Sequence, residues 1–225
     1  MSDGKRPHKT ARVCDIWASF QSLIFCMSVF STYLQLGFHH IFNLRAYDHL
    51  VFLLALCAPY VLRDWRRVVA LVTSFTVGHS VTLALATLDV VQYSPQLIEV
   101  LIPVTIVLTC LLNLVRAGRP ETRPSESRTP EPILLTLPNL LAAIFGLIHG
   151  LGFSSYLREL LGRQSRPMLE LLSFNVGVEL GQLLIVGLIL LLGFGLLRGL
   201  RVARRDWLLV TTGAALGIAL TLLLG

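Results

Sequence analysis

Six ionisable residues, His40, Asp48, His49, His79, His149 and Glu179, stand inside or at the edge of long apolar runs. Such groups are costly in hydrocarbon, so they face a bundle interior or a watered cavity, each with a partner and a task. Imidazole with carboxylate is a donor set for divalent first-row transition metals: nickel, zinc, cobalt or copper rather than magnesium or calcium. No Cys and Met cluster of the kind that selects monovalent copper lies nearby. Polar neighbours extend the set. Asn175, Glu179 and Gln182 fall at i, i+4 and i+7, one helical stripe; Ser80 follows His79, and Glu99 opens another apolar run.

The elements that must carry these residues follow from composition. The chain has 225 residues, 54% hydrophobic and 14% charged, well away from an ordinary soluble domain. The predicted class is an all-α polytopic bundle of about seven spans: 16–36, 48–62, 67–88, 96–115, 137–157, 170–197 and 207–224. A β-barrel is excluded, because the runs are too long and too uniformly apolar. Residues 1–15 read as a basic cytoplasmic N-terminus and 16–225 as a single transmembrane domain with a flexible cytoplasmic loop at 117–136. The first run follows Lys5, Arg6, Lys9 and Arg12 and reads as an uncleaved helix. The net charge of +6 sits in short blocks between apolar segments, which favours a topological role and no nucleic-acid partner. With the N-terminus inside, 15 of the 19 Lys and Arg lie in cytoplasmic connections, and Arg45, Arg158, Arg163 and Arg166 lie outside. That predicts N-terminus in and C-terminus out. Cys14, Cys26, Cys57 and Cys110 are isolated and read as packing residues.

Depth narrows the site. On this topology the ionisable residues all fall between the outer surface and the bilayer centre. Fifteen residues from Asp48 to Leu62 make only about 22 Å of helix, short of a roughly 30 Å core. Gly37–Tyr47 is therefore predicted to dip into the outer leaflet and line a cavity. Gly146 and Gly150, and Gly177 and Gly181, are small-xxx-small pairs that permit close helix approach or homo-oligomer contacts. No internal sequence repeat is evident, so an inverted-repeat architecture stays open. Each polar residue also has a plainer reading: a lone intramembrane His can hydrogen-bond a neighbouring helix, and Glu99 can be a solvated carboxylate at a helix start.

Four segments, GFHHIFNLRAYDHLVFLLAL (37–56), TSFTVGHSVTLALA (73–86), GLIHGLGFSSYL (146–157) and FNVGVELGQ (174–182), together resemble the HupE/UreJ family of hydrogenase- and urease-associated membrane proteins. The resemblance implies a multi-pass protein of the bacterial inner membrane linked with nickel uptake or nickel-enzyme maturation. It implies that the family's His and Asp-His motif maps onto His40, Asp48 and His49, its helix motif onto His79 and Ser80, and its later motif onto His149 and Gly150. The spacing from His40 to Asp48 is longer than the family pattern.

The leading expectation is a permease for a divalent transition metal, nickel by resemblance, in the lipid bilayer, with His40, Asp48, His49, His79, His149 and Glu179 as ligands. Asn175, Gln182, Ser80 and Glu99 support them. The alternative is a membrane-embedded zinc hydrolase using the same residues, with Glu179 as the proton-handling carboxylate. It lacks an HExxH signature. A third reading is a haem held by His79 and His149.

Overall fold

The computed structural model describes residues 9–43, 47–118, 136–160 and 167–224; residues 1–8 and most of the expected loop at 117–136 lie outside them. Every regular element in this range is helical. The helices are α1 (Lys9–Ile41), α2 (Asp48–Cys57), α3 (Trp65–Thr87, entered through a 3₁₀ turn at Leu62–Asp64), α4 (Pro95–Ala117), α5 (Leu137–Gly152), α6 (Ser154–Leu160), α7 (Pro167–Phe194, prolonged by a π turn to Gly199) and α8 (Arg204–Leu224). Proline marks three of the starts: Pro95, Pro138 and Pro167 occupy first-turn positions, where the missing N–H has no intrahelical acceptor to lose.

Four helical stretches, Leu62–Thr87, Pro95–Ala117, Pro167–Gly199 and Arg204–Leu224, are long and apolar enough to cross a membrane. The pair α5 and α6, bent by 47° at Phe153, makes a fifth if it counts as one span. The expected span at 48–62 contains only the ten residues of α2, too few to cross alone. The first expected span lies within α1, whose polar Ser28, Ser31, Thr32 and Gln35 dilute its apolar character, and α1 is not among the crossing helices. Leu108, Leu111, Leu184, Leu188 and Leu191 are exposed, an apolar outer surface of the kind that lipid covers.

The contacts fix helix directions. Arg204, just after α7, donates to the carbonyl of Pro59, just before α3. At the other end, Arg158 of α6 pairs with Asp89 beyond α3, and Phe153 stacks on Phe174 near the start of α7. So α7 runs antiparallel to α3, and α5 runs parallel to α3. One end of the bundle carries Arg63, Arg66, Arg67, Arg116 and Arg204; it is called the arginine end. The other is the cavity end.

Two helix pairs use the same glycine interlock. In α3 and α5, a Cβ on Gly78 would collide with the carbonyl of Ala143, one on Gly146 with that of Phe75, and one on Gly150 with that of His79. In α1 and α7, Gly37 meets the carbonyl of Phe174, Gly177 that of Leu34 and Gly181 that of Phe38. Both pairs are parallel internally, and the two run in opposite senses. The backbone thus carries an inverted pairing for which the side chains outside the glycines give no sequence signal.

This pairing corrects one expectation. The last turns of α1, Leu34 to Ile41, pack beside the first half of α7 and run toward the arginine end, and the earlier turns extend past the start of α7. α2 runs the same way, from Asp48 at the cavity to Ala55, whose carbonyl accepts from Asn113 near the end of α4. α1 and α2 therefore do not alternate as two opposed spans. They form one interrupted descent with His40 and His49 at its break. The irregular stretch is also shorter than Gly37–Tyr47, because Gly37 to Ile41 are helical. Interlocking Gly37 with α7 keeps that stretch regular.

Candidate functional site

His40 comes from the last turn of α1, His49 from the first turn of α2, His79 from α3 and His149 from the end of α5. Their ring centroids lie 4.9 Å (His40 to His49), 5.8 Å (His49 to His79), 5.3 Å (His49 to His149) and 6.4 Å (His40 to His79) apart. His79 and His149 are fully buried, and His49 and His40 are 3% and 8% exposed. The glycine interlocks explain the convergence: with Gly78, Gly146 and Gly150 the backbones of α3 and α5 touch, so His79 and His149 share one level. The interruption between α1 and α2 brings the other two imidazoles to the same level.

Hydrogen bonds set the tautomers of two rings. Nδ1 of His49 lies 3.0 Å from Oδ1 of Asp48, which as an ionised carboxylate can only accept, so Nδ1 carries the proton. Asp48 Oδ1 also accepts from the His49 backbone N–H at 2.8 Å. The lone pair of His49 is then on Nε2. Thr105 spends its single hydroxyl proton on the carbonyl of Ile102 at 2.7 Å and so accepts from Nε2–H of His149 at 3.0 Å, leaving the lone pair of His149 on Nδ1. Both lone-pair nitrogens are buried and have no hydrogen-bond partner, as are Nε2 of His40 and both ring nitrogens of His79. Buried polar atoms that the protein leaves unpartnered take water or a bound ion. A carboxylate that orients an imidazole whose other nitrogen is free is the arrangement that metal-binding histidines use. Among the described residues, however, no three His, Cys, Asp or Glu side chains converge closely enough to hold a metal ion as they stand.

A cavity of ≈ 500 Å³ leads to these rings from the cavity end, lined by His40, Asp48, His49, His149, Tyr47 and Glu99 among others. Glu99 stands exposed at its wall. Pro103 of α4 also lines it, and its missing N–H deprives the Glu99 carbonyl of its helical donor beside the open space. His79 does not line the cavity and lies behind the other three rings. Toward the arginine end, Phe52, Phe75 and Phe145 close the cluster: Phe52 lies 4.8 Å from Phe75 and 5.1 Å from His149.

The remaining predicted residues sit elsewhere. Thr73 donates to Oε1 of Glu179 at 2.6 Å. Thr73 precedes His79 by six residues, about 9 Å along the helix, so Glu179 lies nearer the arginine end than the imidazoles. Gln182 pairs with Thr76, and Asn175 donates to the carbonyl of Leu171 on its own helix. Ser80 is occupied by the carbonyl of Thr76 at 2.7 Å. Thr105, Thr73, Thr76 and the ring of Phe153, 4.0 Å from that of His40, are site neighbours that the sequence reading missed. Thr73, Thr76 and Ser80 at i, i+3 and i+7 in an apolar run were the available signal.

No curated protein and no solved structure matches the chain. A family model described as "HupE / UreJ protein" matches residues 19–224, nearly the whole chain. With its apolar helices this makes the protein a multi-pass membrane protein, and the chain belongs to the HupE / UreJ family.

Proposed function

We propose that the protein is a permease or facilitator for a divalent transition metal ion, nickel by family kinship, in the bacterial inner membrane. The observation that supports this most is the meeting of four imidazoles from four helices, three of them at the foot of an open cavity and His79 behind, with unpartnered ring nitrogens. The ion would enter at Tyr47 and Glu99, exchange water for His40, His49 and His149, and pass to His79. Asp48 and Thr105 orient two of the donors. A site that needs small ring movements to close on its ion suits cargo that must leave again, since conduction requires weak, multi-site binding. The zinc hydrolase alternative gives proton handling to Glu179, whose Oε1 pairs with Thr73 toward the arginine end.

The topology proposed with this function has the arginine end cytoplasmic, in keeping with Arg63, Arg66, Arg67, Arg116, Arg198, Arg201, Arg204 and Arg205 at that end; it leaves the basic start of α1 outside, opposite to the expected cytoplasmic N-terminus. The last turns of α1 and the whole of α2 then make one inward crossing, α3, α4, the α5 and α6 pair, α7 and α8 follow in alternation, and the C-terminus is outside. Interrupted helices with ligands at the break, and inverted pairs around a midplane site, are how secondary transporters build ion sites.

The test is uptake of nickel or cobalt into liposomes that hold the purified chain. His79→Ala and His149→Ala are expected to bring uptake to near background while the protein stays folded. Uptake at background in the wild type, with one zinc ion per chain retained through purification, would transfer the site to the hydrolase reading.

A further inference from the structure

A second polar group runs along α7 from the level of the imidazoles toward the arginine end. Oε2 of Glu179 and Oδ1 of Asn175 are both buried without a hydrogen-bond partner. They are four residues apart on one face of α7, with Cβ atoms about 5–6 Å apart. Gln182, fully buried, continues the stripe. Its amide faces Oγ1 of Thr76 at 2.8 Å, and Thr76 also bonds the carbonyl of Val72 at 3.1 Å. One hydroxyl proton cannot serve two acceptors. With the Gln182 oxygen toward Thr76, one acceptor goes unserved and the NH₂ group is left as a buried, unpaired donor. A half-turn of the amide removes both faults: Nε2 donates to Thr76, Thr76 donates to Val72, and the free Gln182 atom becomes an oxygen. Three acceptor oxygens, one of them anionic, then line one stripe of α7 with no donor for their open positions.

We propose that Asn175, Glu179 and Gln182, beside Thr73, form a second cation site, separate from the imidazoles, that takes a monovalent hard cation of the sodium class. The donor set decides the class. Carboxylate, amide and hydroxyl oxygens suit hard cations rather than nickel or copper. A single carboxylate balances one charge, whereas calcium takes six to eight oxygens and usually several carboxylates. The site itself stands without the transport reading; its use as a coupling site rests on that reading.

The probe is sodium alone. The purified full chain is titrated with NaCl at fixed pH and fixed ionic strength, with choline chloride as the balancing salt, and thermal unfolding and ²²Na⁺ binding are followed. Saturable stabilisation and binding by sodium are expected in the wild type. Glu179→Gln and, as a variant that keeps side-chain volume, Asn175→Leu are each expected to weaken sodium about tenfold or more. Cobalt binding at the imidazoles, read from its visible absorption, is expected to persist in both and serves as the folding control. Sodium and choline acting alike on the wild type would overturn the proposal, as would sodium binding unchanged in Glu179→Gln. Stabilisation that follows pH with no increment from sodium would mean that a proton fills the site, and overturns it equally. Absence of cobalt binding with sodium binding intact would sink the metal reading and leave this site standing.

Discussion

At the scale of single residues, the chemistry rests on which nitrogen of each imidazole is free. In the proposed site Asp48 and Thr105 act through the rings they hold. Replacing such an orienting partner typically costs a metal site about 10- to 100-fold in affinity. Asp48→Asn is therefore expected to weaken cobalt binding within about that range, because the amide carries no charge to favour Nδ1–H of His49. Thr105→Val removes the acceptor for Nε2–H of His149 and is expected to weaken binding by about tenfold. Thr105→Ser keeps the oxygen and is expected to restore it. Cobalt titrations of the three variants check this; equal affinities in Thr105→Val and wild type would remove the tautomer argument. The candidate residues themselves were legible in the sequence, since an ionisable group in an apolar run is conspicuous. Their hydroxyl partners were not, because Thr is common in membrane helices and most of its hydroxyls only return to their own backbone, as Ser74 and Thr109 do.

At the scale of helices, the glycine interlocks hold the site level. Gly78→Val would drive side-chain carbons into the Ala143 carbonyl, and Gly37→Val into that of Phe174. Both contacts are backbone against backbone, which cannot yield as a flexible side chain would. Each substitution is expected to destabilise the chain by about 1–3 kcal/mol or more, the usual cost of overpacking. Gly187 of α7 and Gly217 of α8 have open space around them, so Gly187→Ala and Gly217→Ala are expected to be neutral or slightly stabilising through helix propensity. Unfolding of the four variants in one detergent separates the groups; equal stability of Gly78→Val and Gly217→Ala would refute the close approach. The sequence showed the paired glycines in α5 and α7. It did not show that Gly37 and Gly78 complete them, because a lone glycine in an apolar run carries no partner's address.

At the scale of the molecule, the cavity opens at one end and the arginines gather at the other. In a background without the native cysteines, Tyr47→Cys and Ser155→Cys are expected to react with a membrane-impermeant thiol reagent added outside intact cells, since both positions line the cavity. Arg204→Cys is expected to react only after permeabilisation. The opposite pattern would invert the orientation, and labelling of all three from outside would refute an arginine end in the cytoplasm. The interrupted passage of α1 and α2 is the part of the architecture that charge counting misread. That rule counts basic residues around each apolar run and assumes that runs alternate; it has no means of seeing that two runs share one direction.

Taken alone, the sequence determined that the chain is helical and membrane-embedded, where most helices begin and end, and which few side chains could do chemistry. Those properties are local: apolar run length, proline at helix starts, and the cost of a charge in lipid act on each segment separately. Tertiary structure alone decided that His40, His49, His79 and His149 meet, that Glu179 stands apart from them with Thr73, and that α1 runs beside α7. Each of these depends on the rotation and direction of one helix against another. Close backbone contact between residues far apart in the chain sets both, and the 3.6-residue period of a single helix records neither.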